Sequence, residues 1–174
     1  MSGPLVTLTP DEIAWARENA AIRSRTAEER HYKRNGGTTK ANSLGHDIRG
    51  MFGEVACETA WGVPHRRTGP HDREAGDVLG RGVRTTKPGG GIPVRPDEEE
   101  HQADRVLVLV WDRCPVMELV GWAYGREVVS RGVWRSDWDA PAWCLPWRLV
   151  HSMETIPAPL ERKVLAPAGN LVQG

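Results

Sequence analysis

Between Gly53 and Lys87 the chain reads GEVACETAWGVPHRRTGPHDREAGDVLGRGVRTTK. A helical acid, Glu54, is followed by an acid opening a short strand, Asp77, and then by Gly82-Val83-Arg84 on the next strand. Two carboxylates brought together by a helix and a hairpin can hold a hard divalent cation. A cation beside them can steady a phosphate or the charge that develops on it. Taken singly, Glu54 reads first as a solvated helix residue and Asp77 as a turn residue. The elements that carry them therefore decide what they can do.

Thr9-Pro10-Asp11-Glu12 is a helix start: Thr9 caps, Pro10 suits the first helical position and Glu12 completes a capping box. This first helix is expected over residues 10–34, stopping at Asn35-Gly36-Gly37. Its second half is nearly all charge. It reads as a solvated face or as a basic edge, Arg23, Arg30, Lys33 and Arg34 with Lys40 beyond, touching a phosphate backbone. A second helix begins near Asn42 or Ser43. Leu44, Ile48, Met51, Phe52, Val55 and Ala56 recur at helical spacing and form one buried stripe. Glu54 sits beside that stripe, positioned to look into a cleft between helix and sheet. Asp77–Leu79 and Gly82–Thr86 read as short strands around a turn at Gly80-Arg81. Arg105–Trp111 is an apolar run with both faces covered, and it joins Val116–Tyr124 through a hairpin at Asp112–Pro115. A short helix is expected over Gly125–Ser130 and a last one over Leu145–Glu154. Trp134, Trp138, Trp143 and Trp147 are expected to pack the end of a small core.

The composition narrows the class. The 174 residues suffice for one domain with a core, read as 1–156 with a weakly ordered tail over 157–174. The N-terminal helix 10–34 precedes a core at 42–130 and a Trp/Pro-rich cap at 131–156. Lys plus Arg and Asp plus Glu both number 23, so the molecule as a whole carries no field that attracts nucleic acid; any such binding needs a local patch. Cys57, Cys114 and Cys144 are widely spaced and form no C-x-x-C pair, which favours reduced thiols over a disulfide frame or a zinc site. The longest apolar run is too short to span a bilayer, and the opening residues show no signal-peptide pattern. The expectation is a cytoplasmic protein with no membrane partner. Lys87-Pro88-Gly89-Gly90-Gly91 reads as a hinge, since it lacks the order of a phosphate-binding loop.

The signposts G-E-V-A at 53–56, G-D-V at 76–78, V-R-T-T at 83–86, R-V-L-V-L-V at 105–110 and V-G-W at 120–122 together resemble the PD-(D/E)XK nuclease superfamily, most closely its small phage and phage-like members. The resemblance covers roughly residues 42–130. It implies an α/β (α+β) fold, a central mixed sheet flanked by helices with an αβββαβ core. It also implies one or two Mg²⁺ (or Mn²⁺) ions held by a helical Glu, a strand Asp and a Glu-x-Lys. Carried over, Glu54 takes the place of the helical acid and Asp77 that of the strand acid. Val83 lends a backbone carbonyl, and Arg84 stands beside the phosphate.

The sequence departs from that pattern twice. Gly82 stands where the second strand acid belongs, and Arg84 where the lysine belongs. The first change removes a ligand charge. The second keeps a cation but loses a group whose pKa can be tuned toward proton transfer. Glu58, one helical turn after Glu54, and Glu74 in the preceding loop are alternative acids. The resemblance implies a Mg²⁺-dependent nuclease, with Glu54, Asp77 and Arg84 catalytic, Glu54, Asp77 and Val83 on the metal, and Arg30, Lys33, Arg34, Lys40 and Lys87 on nucleic acid, DNA in preference, acting inside a bacterial host. The alternative is a catalytically inactive protein on the same scaffold that binds nucleic acid or a protein partner in a phage–host conflict.

Overall fold

A computed structural model describes residues 3–29, 40–65 and 77–158. Strand β1 (Leu5–Thr7) leads into helix α1 (Pro10–Glu29), and α2 (Lys40–Trp61) follows. Strands β2 (Gly82–Thr86) and β3 (Ile92–Val94), helix α3 (Glu99–Gln102), strands β4 (Val106–Arg113) and β5 (Val116–Tyr124), helix α4 (Gly125–Arg131) and strands β6 (Val133–Arg135) and β7 (Ala142–Leu145) complete the order. The expected mixed α/β class is met: the described residues form four helices and two sheets, one of them mixed.

The main sheet runs β1-β5-β4-β2, with β2 parallel to β4 and the other pairs antiparallel. The smaller sheet, β3-β7-β6, is antiparallel throughout. Side chains alternate across a strand, so β4 serves two cores. Val108 and Val110 face α1 and α2, while Leu107, Leu109 and Trp111 face the smaller sheet and α4. The apolar run of β4 is thereby covered on both sides, as its sequence requires. Val120 has no partner in the register between Leu109↔Gly121 and Val110↔Leu119. This bulge shifts the alternation by one residue, so Trp122 joins Leu119 on the α1–α2 face.

The capping box at α1 forms: Thr9 Oγ1 accepts from the Glu12 amide at 3.2 Å, and Glu12 accepts from the Thr9 amide at 2.7 Å. Glu12 also accepts from Thr59 Oγ1 at 2.6 Å, which ties the start of α1 to the end of α2. From Met51 to Glu58 every residue of α2 is buried, because α1 covers one side and the sheet the other. A helix enclosed on both sides has no solvent flank over that stretch.

Several expectations are corrected. α2 starts at Lys40, earlier than expected, and Leu44 is exposed, outside the buried stripe. Asp77–Leu79 is not a strand; Val78 makes an isolated bridge to Arg81 across a turn at Leu79-Gly80. Both turn residues have positive φ, 52° and 78°, which is the geometry that a tight two-residue reversal demands. No helix spans Leu145–Glu154: Leu145 ends β7, and 3-10 turns follow at Trp147–Leu149 and Met153–Thr155. Local propensity loses there to the pairing of Leu145 with Ile92. Residues 30–37, expected to end the first helix, and most of the expected tail lie outside the described residues.

Candidate functional site

Helix α2 lies against strand β2 at Gly53. A Cβ on Gly53 would lie 1.9 Å from Thr85 Oγ1 and 3.2 Å from Val83 Cγ1. The absent side chain lets the helix backbone rest on the strand at Val83 and Thr85. Glu54 does not look into an open cleft. It is 6% exposed, and its two oxygens accept from Arg23 of α1, Nη1 to Oε1 at 2.8 Å and Nη2 to Oε2 at 3.0 Å. Burial raises the Glu54 pKa; Arg23 opposes that rise, and the carboxylates of Asp77 and Glu58 add to it. Arg23, expected on a basic outer edge, is instead turned inward onto this acid.

Asp77 enters from the other side. The turn at Leu79-Gly80 closes with Asp77 N–H donating to Arg81 O at 2.8 Å, and Arg81 stacks on Trp61 at 4.7 Å. Asp77 Oδ2 then accepts from the Val83 amide at 2.6 Å. This amide belongs to β2, an edge strand, so the carboxylate satisfies a donor that has no neighbouring strand. Asp77, Glu54 and Glu58 also raise the pKa of the buried Cys57 thiol, adding to the larger effect of burial. That thiol is held protonated and is no nucleophile.

Arg84 points from β2 into a cleft of about 180 Å³ lined by Asp77, Arg84, Arg95, Glu98, Gln102 and Arg105 among others. Its guanidinium donates to Pro93 O at 3.3 Å and lies 3.6 Å from Glu98 and 4.0 Å from Asp77. Glu98 also accepts from Arg95 at 2.9 Å. Burial pushes the Glu98 carboxyl up, but Arg84 and Arg95 together outweigh it, and the net direction is down. Gln102 is buried, and its Oε1 has no hydrogen-bond partner among the described residues. Sequence reading missed this wall of the cleft because Pro96–His101 looks like a solvated acidic turn. The one local signal was Arg95 three residues before Glu98.

Asp77 links the two faces of β2: its Oδ2 accepts from the Val83 amide and lies 4.0 Å from Arg84, while Val83 packs on the α2 side, where Glu54 sits, and Arg84 turns to the opposite side. Lys87 is exposed just past the end of β2. Lys40 opens α2. Arg30, Lys33, Arg34 and Glu74 lie outside the described residues. Glu58, the alternative acid, is buried and bonded to His65 at 3.0 Å, so it turns toward the far end of α2.

The Mg²⁺ that the resemblance implies needs oxygen donors with free lone pairs. Glu54 and Asp77 are hard donors of the right kind. Their arrangement does not fit: the guanidinium of Arg23 engages both Glu54 oxygens, and one Asp77 oxygen is committed to Val83. At Gly82, a Cβ would press on the buried Leu107 Cδ2 at 2.7 Å, so an acid is not simply restored there. Among the described residues no group of three His, Cys, Asp or Glu side chains is arranged to hold an ion. A scan of protein-family models matches none of them to this chain, and searches of curated proteins and of solved structures return no match. No helix among the described residues is long and apolar enough to cross a membrane.

Proposed function

We propose that the chain is a nucleic-acid-binding protein on a scaffold related to the PD-(D/E)XK nucleases, with the cleft at Arg84 taking the phosphodiester backbone and no hydrolysis in the resting arrangement. One observation carries the reading: Arg84, Arg95 and Arg105 line a single cleft, held among Asp77, Asp97 and Glu98. Guanidinium groups suit phosphate because their planar donors match its oxygens and stay charged at neutral pH. Glu98 and Asp77 hold the forks in place before a ligand arrives. DNA is the expected polymer, and Lys87 stands on the exposed path out of β2.

A gel-shift assay across a salt series tests this. Binding that weakens steeply with salt, and weakens further in Arg84→Ala, is the expected result. Salt-insensitive binding, or binding unchanged by Arg84→Ala, overturns it; no binding to any nucleic acid directs attention to a protein partner.

The second reading is a Mg²⁺-dependent nuclease. It is favoured by the nearness of Asp77 to Glu54, whose pKa, raised chiefly by burial, is raised further by the Asp77 charge. Under that reading the two acids and the Val83 carbonyl are the candidate donors, and Arg84 neutralises charge on the phosphate. Cleavage of plasmid in Mg²⁺ or Mn²⁺ that disappears in Asp77→Ala supports it. Absence of cutting by the wild type in both metals removes it.

A further inference from the structure

The ion implied by the resemblance and the side chains actually present disagree at Glu54. Two parallel N–H···O bonds, 2.8 and 3.0 Å long, satisfy both carboxylate oxygens with one guanidinium. Glu54 is 6% exposed, so a hydrated ion has no open approach to the carboxylate while the guanidinium is in place. The surroundings are rich in acid. Asp77 and Asp47 both act on Arg23, and Glu58 acts on Glu54. Such a field selects a cation at its centre, and here the chain supplies one from α1.

We infer that Arg23 is the built-in counter-cation of this site: its guanidinium stands where a divalent ion would otherwise sit against Glu54, so the chain takes up an ion there only when Arg23 is removed. The inference rests on the reading that Glu54 and Asp77 belong to one site. It does not depend on what the cleft binds, so a negative gel shift leaves its outcomes untouched.

The consequence for the fold is that α1 is pinned to α2 by the same bond that fills the cation position. A helix held by an ion pair at this depth moves only if both charges find other partners. Arg23 is therefore a positioning residue, and its removal exposes a site that the wild type keeps filled.

Mn²⁺ itself is the probe. Free Mn²⁺ is followed by electron paramagnetic resonance during titration of the full chain, and thermal unfolding is recorded in Mn²⁺ and in chelator. The variants are Arg23→Gln, Glu54→Gln and the double Arg23→Gln/Glu54→Gln. The wild type is expected to take up no ion and to unfold at the same temperature in both media. Arg23→Gln is expected to take up Mn²⁺ that the wild type does not, and to unfold later in Mn²⁺ than in chelator, and the double variant is expected to lose both effects. Wild-type uptake that Glu54→Gln abolishes overturns the inference, as does an Arg23→Gln protein that folds and binds nothing. If Arg23→Gln folds only in Mn²⁺, the inference stands; if it is unfolded in both media, the wild-type titration decides, and any Mn²⁺ uptake that Glu54→Gln abolishes overturns the inference.

Discussion

Asp77 and Glu54 each have a structural task that is independent of any chemistry, and the two tasks predict different mutational behaviour. Asp77 supplies an acceptor to the Val83 amide at the sheet edge. Asp77→Ala leaves that amide without its acceptor and is expected to cost about 1–2 kcal/mol in urea unfolding. Asp77→Asn keeps an oxygen in place and is expected to cost less than half as much. Equal losses would mean that charge, not the acceptor, is what matters there. Glu98 gives a pH signature. Its folded pKa is depressed by Arg84 and Arg95, so its contribution is present above the ordinary carboxylate range and is lost as pH falls through that range toward the depressed value. Stability should therefore fall on acidification below about pH 5, and Glu98→Gln should flatten that part of a pH series of melting temperatures. An unchanged profile in Glu98→Gln would show that other carboxylates dominate.

Among the elements, the contact of α2 with β2 is the one that assembles the site, and Gly53 permits it. Gly53→Ala gains about 1 kcal/mol of helix propensity. It must also place a carbon 1.9 Å from Thr85 Oγ1 inside a packed interface, which costs about 1–3 kcal/mol. The expected net result is lower stability in chemical denaturation, together with weaker ligand binding as Glu54 and Val83 are pushed apart. A stabilised Gly53→Ala protein would show that the helix shifts freely on the strand. Much of this level was legible in the sequence. The capping box at Thr9, the approximate reach of α2, the β4–β5 hairpin and α4 all follow from local patterns. The nearness of Asp77 to Val83 and Arg84 was legible too, but not the enclosure of Glu54. What was not legible depends on pairing between distant residues. β1 is three residues long and exists only because Val116–Glu118 accept it. The bulge at Val120 follows from register, and β7 forms in place of a helix because Leu145 pairs with Ile92. Arg23 looked like one more surface charge on a charged helix; only the packing of α1 on α2 turns it toward Glu54.

In the molecule as a whole, β4 is the shared wall of two apolar cores, and β5 carries the partners that close the main sheet on one side. β1 covers Val116–Glu118, the Leu119 amide donates to Pro4 O at 2.9 Å, and His151 bridges to Trp122 through two backbone bonds. Gly121 lies under that second segment, since a Cβ there would meet His151 O at 2.4 Å. The ring of His151 sits on Trp122 at 4.5 Å and its Nε2 reaches Glu127 at 2.9 Å, which fastens the segment. Deleting residues through Thr7 uncovers the amides of β5 and is expected to produce concentration-dependent self-association, read by light scattering. A monomer at all concentrations would show that the strand protects itself by other means.

This closure sets an order on synthesis. β1 leaves the ribosome before β5 and must wait for it, while the residues that cover the other half of β5 emerge after it. Until β5 emerges β1 has no partner, and the central sheet is completed only when His151 is free to dock. Folding that depends on such distant matches is slow compared with helix formation, so the stretch from Val116 to Tyr124 is where a nascent or newly released chain most needs shelter.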